Sequence, residues 1–274
     1  MTFLVAGATG NVGAEVVRAL VGQGVGEVRA LSRRGGAVGG AVPVVGDLAD
    51  RAALADVWTG VDAVFLPAGQ PDVAGLLADM RAGGVRRVVL LSTGAVVGGD
   101  LDNAVTRFNV VSEAAVRDAG LEWTVLRPSG FASNALQWVP QLAAGDVVRE
   151  PFADVPVAVI DPADIGAVAA LALTGDGLAG RSLRLTGPAA TLPADRLAVL
   201  ADLLGRDLHL EPEPDDAARR RMDAAMPPAY VDAFFRFFRG GEYDDSRVTS
   251  VVPDLLGRPA RTFGQWARDH LDAF

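Results

Sequence analysis

The sequence predicts an α/β protein, in which a doubly wound parallel sheet is followed by a smaller, mainly helical lobe. Three observations favour this fold. Short segments that are apolar throughout recur in the first half of the chain, helical patterns separate most of them, and 50% of all residues are hydrophobic. Strands that are apolar on both faces and alternate with helices are typical of a parallel sheet covered on both sides.

The predicted strands of this sheet are short and rich in Val, Leu and Phe. They lie at residues 3–6, 28–31, 42–45, 63–66, 87–91 and 123–126. Apolar residues with helical spacing predict helices at residues 11–21, 51–58, 73–82 and 101–119. Strands and helices therefore alternate along the first half of the chain, as βαβ units require.

The alternation changes after Arg127 and Pro128. The pattern then predicts a helix at 132–143, a strand at 155–160, a helix at 162–173 and a strand at 182–186. The remainder is mainly helical, at 194–204, 215–225, 230–239 and 263–273. We therefore expect a core over residues 1–130 and a lobe over residues 131–274, with residues 155–186 returning elements to the core. Ligands of open α/β sheets bind at the carboxyl ends of the strands, so the lobe is predicted to bind the substrate.

Composition excludes several classes of function. The net charge is −9 and the basic residues are scattered, which is unlike a nucleic-acid-binding protein. The chain has no cysteine, and its two histidines, His209 and His270, lie far apart, so disulfides, thiolate nucleophiles and a metal site are not expected. There is neither a basic leader nor an apolar stretch of membrane-spanning length. We predict a cytoplasmic protein without a membrane partner, either a monomer or a homodimer.

The 25 basic residues are all arginines. Together with heavy use of Ala, Gly and Val, this bias is typical of a GC-rich bacterial genome. It also removes lysine from every candidate mechanism.

A glycine-rich segment stands where the first strand should turn into the first helix. It reads Gly7, Ala8, Thr9, Gly10, Asn11, Val12 and Gly13. Small residues at such a turn let a pyrophosphate approach the backbone N–H groups and the positive end of the helix. The surrounding strand-helix-strand context predicts a Rossmann-type dinucleotide site that includes Gly7, Thr9, Gly10, Asn11, Val12 and Gly13. The alternative is that the glycines only form a tight turn.

The end of the second strand indicates which dinucleotide binds. An acidic residue there would bind a ribose 2′-hydroxyl, but this chain has Ser32, Arg33 and Arg34. Guanidinium groups bind phosphate through paired hydrogen bonds. The prediction is NADP(H) in preference to NAD(H), although both arginines could instead be solvated loop residues.

The ends of the next three strands supply the other candidate cofactor contacts. Asp47 and Leu48 follow the third strand and are predicted to bind the adenine, although Asp47 could also cap a helix near residue 49. Pro67 and Ala68 end the fourth strand, in the direction of the ribose and nicotinamide. Ser92 and Thr93 end the fifth strand, in the same direction.

Several motifs together resemble the NmrA-like group of atypical short-chain dehydrogenases/reductases. They are the segment from Gly7 to Gly13, Leu31-Ser32-Arg33-Arg34, Gly46-Asp47-Leu48, Leu90-Leu91-Ser92-Thr93-Gly94, and Ser112-Glu113 followed by residues 120–134. The similarity covers residues 1–175 and weakens beyond them. It implies a relation to NADPH-dependent quinone and dye reductases, and also to members that sense NADP(H) without turnover.

The resemblance also exposes a departure. Ordinary members of the wider superfamily use a Tyr-x-x-x-Lys pair, and the equivalent positions here are Val105 and Asn109. A positioned acid or base contributes about 10²–10⁴-fold to a rate. A quinone-like or aromatic acceptor can delocalise the negative charge that hydride delivers, so Ser92, Thr93 and Asn109 are the candidate catalytic groups. Hydroxyls at strand ends more often satisfy the backbone, which is the alternative for Ser92 and Thr93.

Phe131, Asn134 and Trp138 follow the sixth strand and are the candidate substrate-binding residues. Flat rings suit a flat ligand and an amide can fix its orientation, although the same spacing is typical of a packed helix. Downstream, four phenylalanines between residues 234 and 238 either close over the pocket or bury a subunit contact. Glu113 and Arg117 are predicted to form a surface ion pair on a helix.

These features predict an NADPH-dependent oxidoreductase that reduces a quinone-like or aromatic small molecule, in the setting of bacterial secondary metabolism. Two alternatives keep the fold. One is a redox sensor that binds NADP(H) without turnover, and the other is a non-reductive isomerase, cyclase or lyase.

Overall fold

Seven parallel strands form the sheet that organises the first of two units. The structure is a computed structural model that describes residues 1–36, 38–98 and 100–274. The first unit comprises Met1–Thr93, Phe108–Pro128 and Pro162–Leu185, and the second comprises Gly94–Arg107, Ser129–Asp161 and Thr186–Phe274. These units are divided by their internal contacts and do not follow a single boundary after residue 130. The expected division into a cofactor core and a substrate lobe stays a prediction.

The sheet strands are β1 (Thr2–Ala6), β2 (Glu27–Ser32), β3 (Val42–Val45), β4 (Ala63–Pro67), β5 (Arg87–Leu91), β6 (Glu122–Pro128) and β8 (Arg181–Leu185). Their order is β3-β2-β1-β4-β5-β6-β8, and every neighbouring pair is parallel. The order reverses its direction beside β1, which creates the crevice where such sheets bind ligands. The predicted parallel α/β sheet is confirmed.

Helices of the first unit cover the sheet. They are α1 (Asn11–Gly22), α2 (Val73–Ala82), the second part of α3 (Ala104–Asp118), and α5 (Pro162–Thr174). Leu4, Val64, Leu76 and Val88 are among the fully buried residues of one core cluster. Because strands and helices are both apolar at these positions, their burial supplies the main driving force for folding of this unit.

The second unit is mainly helical. Its helices are the first part of α3, α4 (Val139–Ala144), α6 (Pro193–Leu204), α7 (Asp215–Asp223), α8 (Pro228–Phe238), α9 (Val251–Leu256) and α10 (Phe263–Asp269). A small parallel pair joins β7 (Val147–Glu150) to β9 (His209–Pro212). Trp138, Leu142, Leu200, Phe263 and Trp266 belong to its core.

Two predicted elements are wrong. The segment predicted as a helix at 51–58 contains a single 3-10 turn at Ala52–Leu54 within a series of turns. Its buried Leu54 and Trp58 are four residues apart, which is the spacing of a helix. The strand at 155–160 is replaced by isolated bridges. Successive N–H groups there donate to different segments: that of Val157 to Thr191, that of Ala158 to Asp245, and that of Ile160 to Gly130. No continuous ladder can form.

A third element is correct in place but not in type. Residues 132–143 begin as a 3-10 helix over Ala132–Trp138 and continue as α4. Pro140 has no N–H group, so the α-helical bond to the Leu136 carbonyl cannot form. The pair β7 and β9 was not predicted, because Arg149, Glu150, His209 and Glu211 make it too polar to be recognised as strands.

No helix in the described ranges combines the length and the apolar character needed to cross a bilayer. The same residues contain no group of three or more His, Cys, Asp or Glu side chains arranged to hold a metal ion. The predicted cytoplasmic location and the choice between monomer and homodimer stay predictions.

The contact between α1 and α5 gives a paired test of packing. A Cβ atom on Gly166 would lie 2.6 Å from the carbonyl carbon of Glu15, whereas one on Gly22 meets nothing within 4 Å. We expect Gly166→Ala to lower the free energy of unfolding by about 1–3 kcal/mol through overpacking. Gly22→Ala should raise it by about 0.5–1 kcal/mol, because alanine loses less backbone entropy in a helix. Urea unfolding measures both, and a neutral Gly166→Ala would contradict the observed closeness of the helices.

Candidate active site

The glycine-rich segment leaves β1 and enters α1 with almost no room for side chains. Gly7 has φ of +67°, in the left-handed region that favours glycine. The N–H of Gly10 donates to the carbonyl of Gly7 at 2.9 Å. A Cβ atom on Gly13 would lie 2.1 Å from that same carbonyl oxygen. The chain can therefore make this turn only with glycine at position 13.

The amino end of α1 presents an unneutralised positive dipole. Gly10 is the residue before the helix and offers no side-chain cap, and the first turn contains no acidic residue. Thr9, Gly10 and Asn11 are exposed, whereas Val12 and Gly13 are buried. Free N–H groups at such a helix end bind phosphate without any basic side chain.

Ser32 and two arginines occupy the carboxyl end of β2. The Ser32 side chain is 8% exposed, and its Oγ is buried without a hydrogen-bond partner in the described protein. Arg33 and Arg34 are exposed, and neither forms an ion pair with a described residue. A Cβ on Gly36 would approach Thr9 Cγ2 at 3.5 Å, so this connection passes beside the glycine-rich segment.

The other cofactor candidates lie at strand ends of the same unit. Asp47 Oδ1 accepts from the N–H of Ala49 at 3.0 Å, which is a local turn and not the cap of an α-helix. Leu48 is partly buried against the core of this unit. Pro67 is close to the glycine-rich segment, because its Cγ would lie 3.4 Å from a Cβ on Gly7. The N–H of Ala68 donates to Leu91 at 3.0 Å.

A buried carboxylate joins the ends of β5 and β6 to α3. Glu113 pairs with Arg117 as expected, but it is 2% exposed. The expectation of a surface ion pair is therefore wrong, because the carboxylate is buried. Its Oε1 accepts from Ser92 Oγ at 2.7 Å and from Arg127 Nε at 2.9 Å. Its Oε2 accepts from Arg127 at 2.5 Å and from Arg117 at 2.6 Å. The sequence could not indicate this site, because Ser92 and Arg127 are 21 and 14 residues away along the chain.

The environment of Glu113 keeps it ionised. Burial has the largest effect and raises the pKa of this carboxyl, but the hydrogen bonds from Arg127, Ser92 and Arg117 together outweigh it. The pKa of Glu113 therefore lies below its ordinary value of 4.5. An ionised carboxylate can only accept, so the hydroxyl proton of Ser92 points to Glu113.

The remaining catalytic candidates lie close by in the sequence and the fold. Thr93 is partly buried directly after Ser92, and Asn109 is 4% exposed on α3, one turn before Glu113. Val105 occupies the position where the resemblance would place a tyrosine, and the chain has no lysine to accompany one. Neither member of a conventional proton-donating pair is therefore present.

The second unit contains a cavity of about 530 Å³. All three predicted substrate residues line it: Phe131, Asn134 and Trp138. Trp138 is 1% exposed and belongs to the core of this unit, which was the alternative role, and its contact with a substrate stays a prediction. Its indole N–H donates at 2.6 Å to Glu150, which lines the same cavity.

Aromatic residues from two distant segments form another wall of the cavity. Phe152, Phe234 and Phe238 line it, and the ring centroids of Phe152 and Phe238 are 5.1 Å apart. Phe152 has φ of +55°, the one positive value for a non-glycine residue in the described ranges. A bulky side chain in this region costs about 1–3 kcal/mol, so the surrounding packing must hold it. The phenylalanine cluster thus contributes to a pocket, one of the two expected roles.

The residues of the first unit fit a bound dinucleotide. A Cβ on Gly13 would meet the backbone of Gly7, the first turn of α1 has no acidic residue, and Ser32 has a buried hydroxyl without a partner in the described protein. A phosphate-bearing ligand would add favourable contacts at this helix end, and a polar ligand group would pair the Ser32 hydroxyl.

Residues 7–174 match the protein family described as NAD(P)H-binding. A (4-alkanoyl-5-oxo-2,5-dihydrofuran-3-yl)methyl phosphate reductase from Streptomyces griseus subsp. griseus is 42% identical over 279 residues, covering 99% of this chain and 98% of that protein. An NAD(P)H azoreductase from Xenophilus azovorans is 30% identical over 287 residues, again covering 99% and 98%. The chain belongs to the NAD(P)H-binding family.

A solved structure agrees with this family at the level of the fold. The NADPH-dependent quinone oxidoreductase of Escherichia coli, complexed with NADPH, superposes with a TM-score of 0.77 at 21% identity, covering 99% of this chain and 100% of that one. The protein is thus an NAD(P)H-dependent oxidoreductase of the NmrA-like, atypical short-chain dehydrogenase/reductase type, and the resemblance is confirmed. The individual site residues stay predictions.

Sequence reasoning missed several features of this reductase. Glu150 and Arg196 line the cavity of the second unit, and neither belongs to a motif. Phe152 precedes the recognised aromatic cluster by some eighty positions, as the sequence numbering shows. Of the aromatic residues in this wall, the sequence indicates only Phe234 and Phe238, because they belong to the apolar cluster at residues 234–238.

The Glu113 network predicts an acid-dependent contribution to stability. At pH 7 we expect Glu113→Gln to lower the free energy of unfolding by about 2–4 kcal/mol, because it leaves two arginines without their buried counter-charge. The folded pKa is depressed, so this stabilisation is fully present above the ordinary pKa of 4.5 and is lost as the pH falls through the folded pKa. The two proteins should therefore approach each other in acid.

Urea unfolding at pH 7 and at lower pH values measures this difference. Glu211→Gln is the matched control, because the Glu211 side chain is 52% exposed in its pair with Arg149. Exposed pairs contribute about 0–1 kcal/mol, so the control should change little. A pH-independent effect of Glu113→Gln would show that the charge of Glu113 is not what stabilises the site.

Proposed function

We propose that this reductase transfers hydride from NADPH to an electron-poor, conjugated small molecule of the quinone-like or aromatic kind. The observation that carries the proposal is that the described residues at the end of β5 and in α3 include neither a tyrosine nor a lysine. Val105 and Asn109 replace the tyrosine and lysine of ordinary members, and the Ser92 hydroxyl donates to Glu113. An acceptor that delocalises negative charge does not require simultaneous protonation.

The cofactor is held by the first unit in this proposal. The backbone of Gly7, Thr9, Gly10, Asn11, Val12 and Gly13 binds the pyrophosphate at the amino end of α1. Ser32, Arg33 and Arg34 bind the 2′-phosphate, which selects NADPH over NADH. Asp47 and Leu48 contact the adenine, and Pro67 and Ala68 contact the part of the cofactor beyond the pyrophosphate. Bound NADPH supplies the hydride.

The residues near the reacting atoms stabilise the product anion. In this proposal, Thr93 and Asn109 hydrogen-bond an oxygen that gains charge as hydride adds to the conjugated system. Ser92 is fixed by Glu113, so its oxygen can accept a hydrogen bond but its proton is already committed. The proton that completes the reduction then comes from water after the hydride has transferred.

The substrate is assigned to the cavity of the second unit, with Phe131 and Trp138 against its flat surface and Asn134 fixing its orientation. The names of the relatives support an electron-poor acceptor. The Streptomyces relative is named for an unsaturated lactone that carries an alkanoyl group and a phosphate ester. The Xenophilus relative is named for azo compounds, which are also conjugated.

The test is loss of NADPH absorbance with a panel of quinones, enones and aromatic ketones. Quinones and enones should oxidise NADPH, and aromatic ketones should react about 10²–10⁴-fold more slowly, because their product alkoxide needs a proton donor. Reactions without protein provide the control. Flat traces with every acceptor, despite NADPH binding, would favour the sensor, and conversion of an aromatic compound without nicotinamide would favour the non-reductive enzyme.

Cofactor selectivity is tested at the end of β2. We expect the double variant Arg33→Ala and Arg34→Ala to weaken NADPH binding about 10–100-fold, because it removes charge-assisted hydrogen bonds to phosphate. NADH binding should change by about twofold or less, since NADH lacks that phosphate. Calorimetry measures both, with Arg86→Ala as the control, because Arg86 is an exposed arginine of the same unit paired with Asp62. Tighter binding of NADH than NADPH to the unmodified protein would defeat the assignment.

A further inference from the structure

An arginine in the cavity of the second unit lacks a counter-ion. Arg196 is the fourth residue of α6 and lines the cavity. Its Nη1 donates to the carbonyl of Thr191 at 2.8 Å and to the hydroxyl of the same residue at 3.2 Å. Within the described part of the chain it makes no ion pair with a carboxylate, and no other hydrogen bond of its guanidinium is found. Nε and Nη2 therefore keep three N–H donors for a ligand.

Arg196 is partly buried, so its charge is only partly hydrated. Burial lowers the pKa of Arg196, although Glu150 and Asp195 act in the opposite direction. Arginine does not lose its proton in proteins, so the direction of this shift expresses a partial loss of hydration around a permanent charge. An anion bound in the cavity would offset that loss.

Three carboxylates lie in the cavity or on the helix of Arg196, and each accepts hydrogen bonds from other residues. Glu150 accepts from the indole of Trp138 at 2.6 Å and from Gln137 at 3.1 Å. Burial raises the pKa of Glu150, so it accepts a proton more readily than an ordinary glutamate. An anion beside Arg196 would favour that neutral form further.

The other two carboxylates satisfy backbone groups. Asp195 Oδ2 accepts from the N–H of Leu192 at 2.8 Å, in the cap of α6. Asp245 accepts from the N–H of Gly130 and from the hydroxyl of Tyr243, at 2.9 and 2.8 Å. Neither carboxylate pairs with Arg196.

The same cavity has an extended apolar wall. Phe152, Phe234 and Phe238 line it together with Met222 and Met226. Flexible thioethers and phenyl rings suit a chain that can adopt several conformations. A guanidinium beside such a surface matches a ligand with one negatively charged end and one apolar end.

We propose that this cavity binds an amphiphilic anion, with a phosphate monoester or carboxylate head on Arg196 and an acyl or aryl tail on the phenylalanine and methionine wall. The proposal rests on the proposed function and narrows it, since it names the class of substrate that the reductase takes. Arg196 is the residue that selects a charged substrate, and the apolar wall selects chain length.

The probe is octyl phosphate, titrated by calorimetry into the full-length protein with saturating NADP⁺ to keep phosphate out of the cofactor site. Octanoate tests a carboxylate head, 1-octanol tests the tail alone, and butyl phosphate tests the head with a shorter tail. We expect Arg196→Gln to weaken octyl phosphate binding about 10–100-fold, as loss of charge-assisted hydrogen bonds predicts. Binding of 1-octanol should change by about twofold or less, because the tail contacts remain.

Two further variants sharpen the result. Glu150→Gln keeps an acceptor for the Trp138 indole but removes a negative charge, so it should tighten octyl phosphate binding, opposite in sign to Arg196→Gln. Arg149→Gln makes the same substitution at an arginine that is 65% exposed, and it should have no effect. Butyl phosphate should bind about 100-fold more weakly than octyl phosphate, because four methylenes are lost.

Failure of the unmodified protein to bind octyl phosphate and octanoate would overturn the proposal. So would equal binding by Arg196→Gln. If Arg196→Gln does not fold, Glu150→Gln tests the electrostatics of the cavity with the arginine in place, and unchanged octyl phosphate binding in that variant would overturn the proposal. The proposed function fails separately, when no acceptor in the panel oxidises NADPH, whatever octyl phosphate does.

Discussion

The backbone passes so close to itself at the start of α1 that a Cβ atom on Gly13 would lie 2.1 Å from the carbonyl oxygen of Gly7. This closeness fixes where the first helix begins and leaves its amino end open to a ligand. Ser32 and Pro67 end the strands on either side of β1, so they reach the same edge of the sheet. The proposed pyrophosphate site depends on this turn, because a side chain at position 13 would displace the amino end of α1.

The buried carboxylate of Glu113 imposes a second constraint, and it acts on chemistry. It accepts the hydrogen bond of the Ser92 hydroxyl, and it pairs with two arginines that could otherwise bind anions. Ser92 is therefore held in place at the end of β5, but its hydroxyl is not a strong proton donor. Such a site can orient an acceptor and support a delocalised charge, which is a different task from protonating an alkoxide. The chain also contains no lysine that could assist such a protonation.

The features that sequence could predict are those encoded by local patterns. Uniformly apolar segments predicted the parallel strands, and the glycines at 7, 10 and 13 predicted the turn between β1 and α1. Errors arose where contacts with distant residues decide the structure. Residues 155–160 look like a strand, but their N–H groups donate to three separate segments. Glu113 looks like a surface residue because its neighbour Arg117 is visible in the sequence, while Ser92 and Arg127 reach it only after the sheet has formed.

The cavity of the second unit is also formed by residues that are distant in the sequence, so local patterns could not predict it. Arg196 belongs to no motif, and nothing in its local sequence separates it from the other 24 basic residues, since all 25 are arginines. What separates it is its surroundings: one guanidinium, a tryptophan-bound carboxylate and a wall of phenylalanine and methionine. An exposed arginine is fully hydrated, whereas a partly buried one loses some hydration that a hydrogen-bond partner or an anion can replace. In the role proposed for this cavity, an anionic ligand bonds the guanidinium N–H groups that Thr191 leaves without a partner.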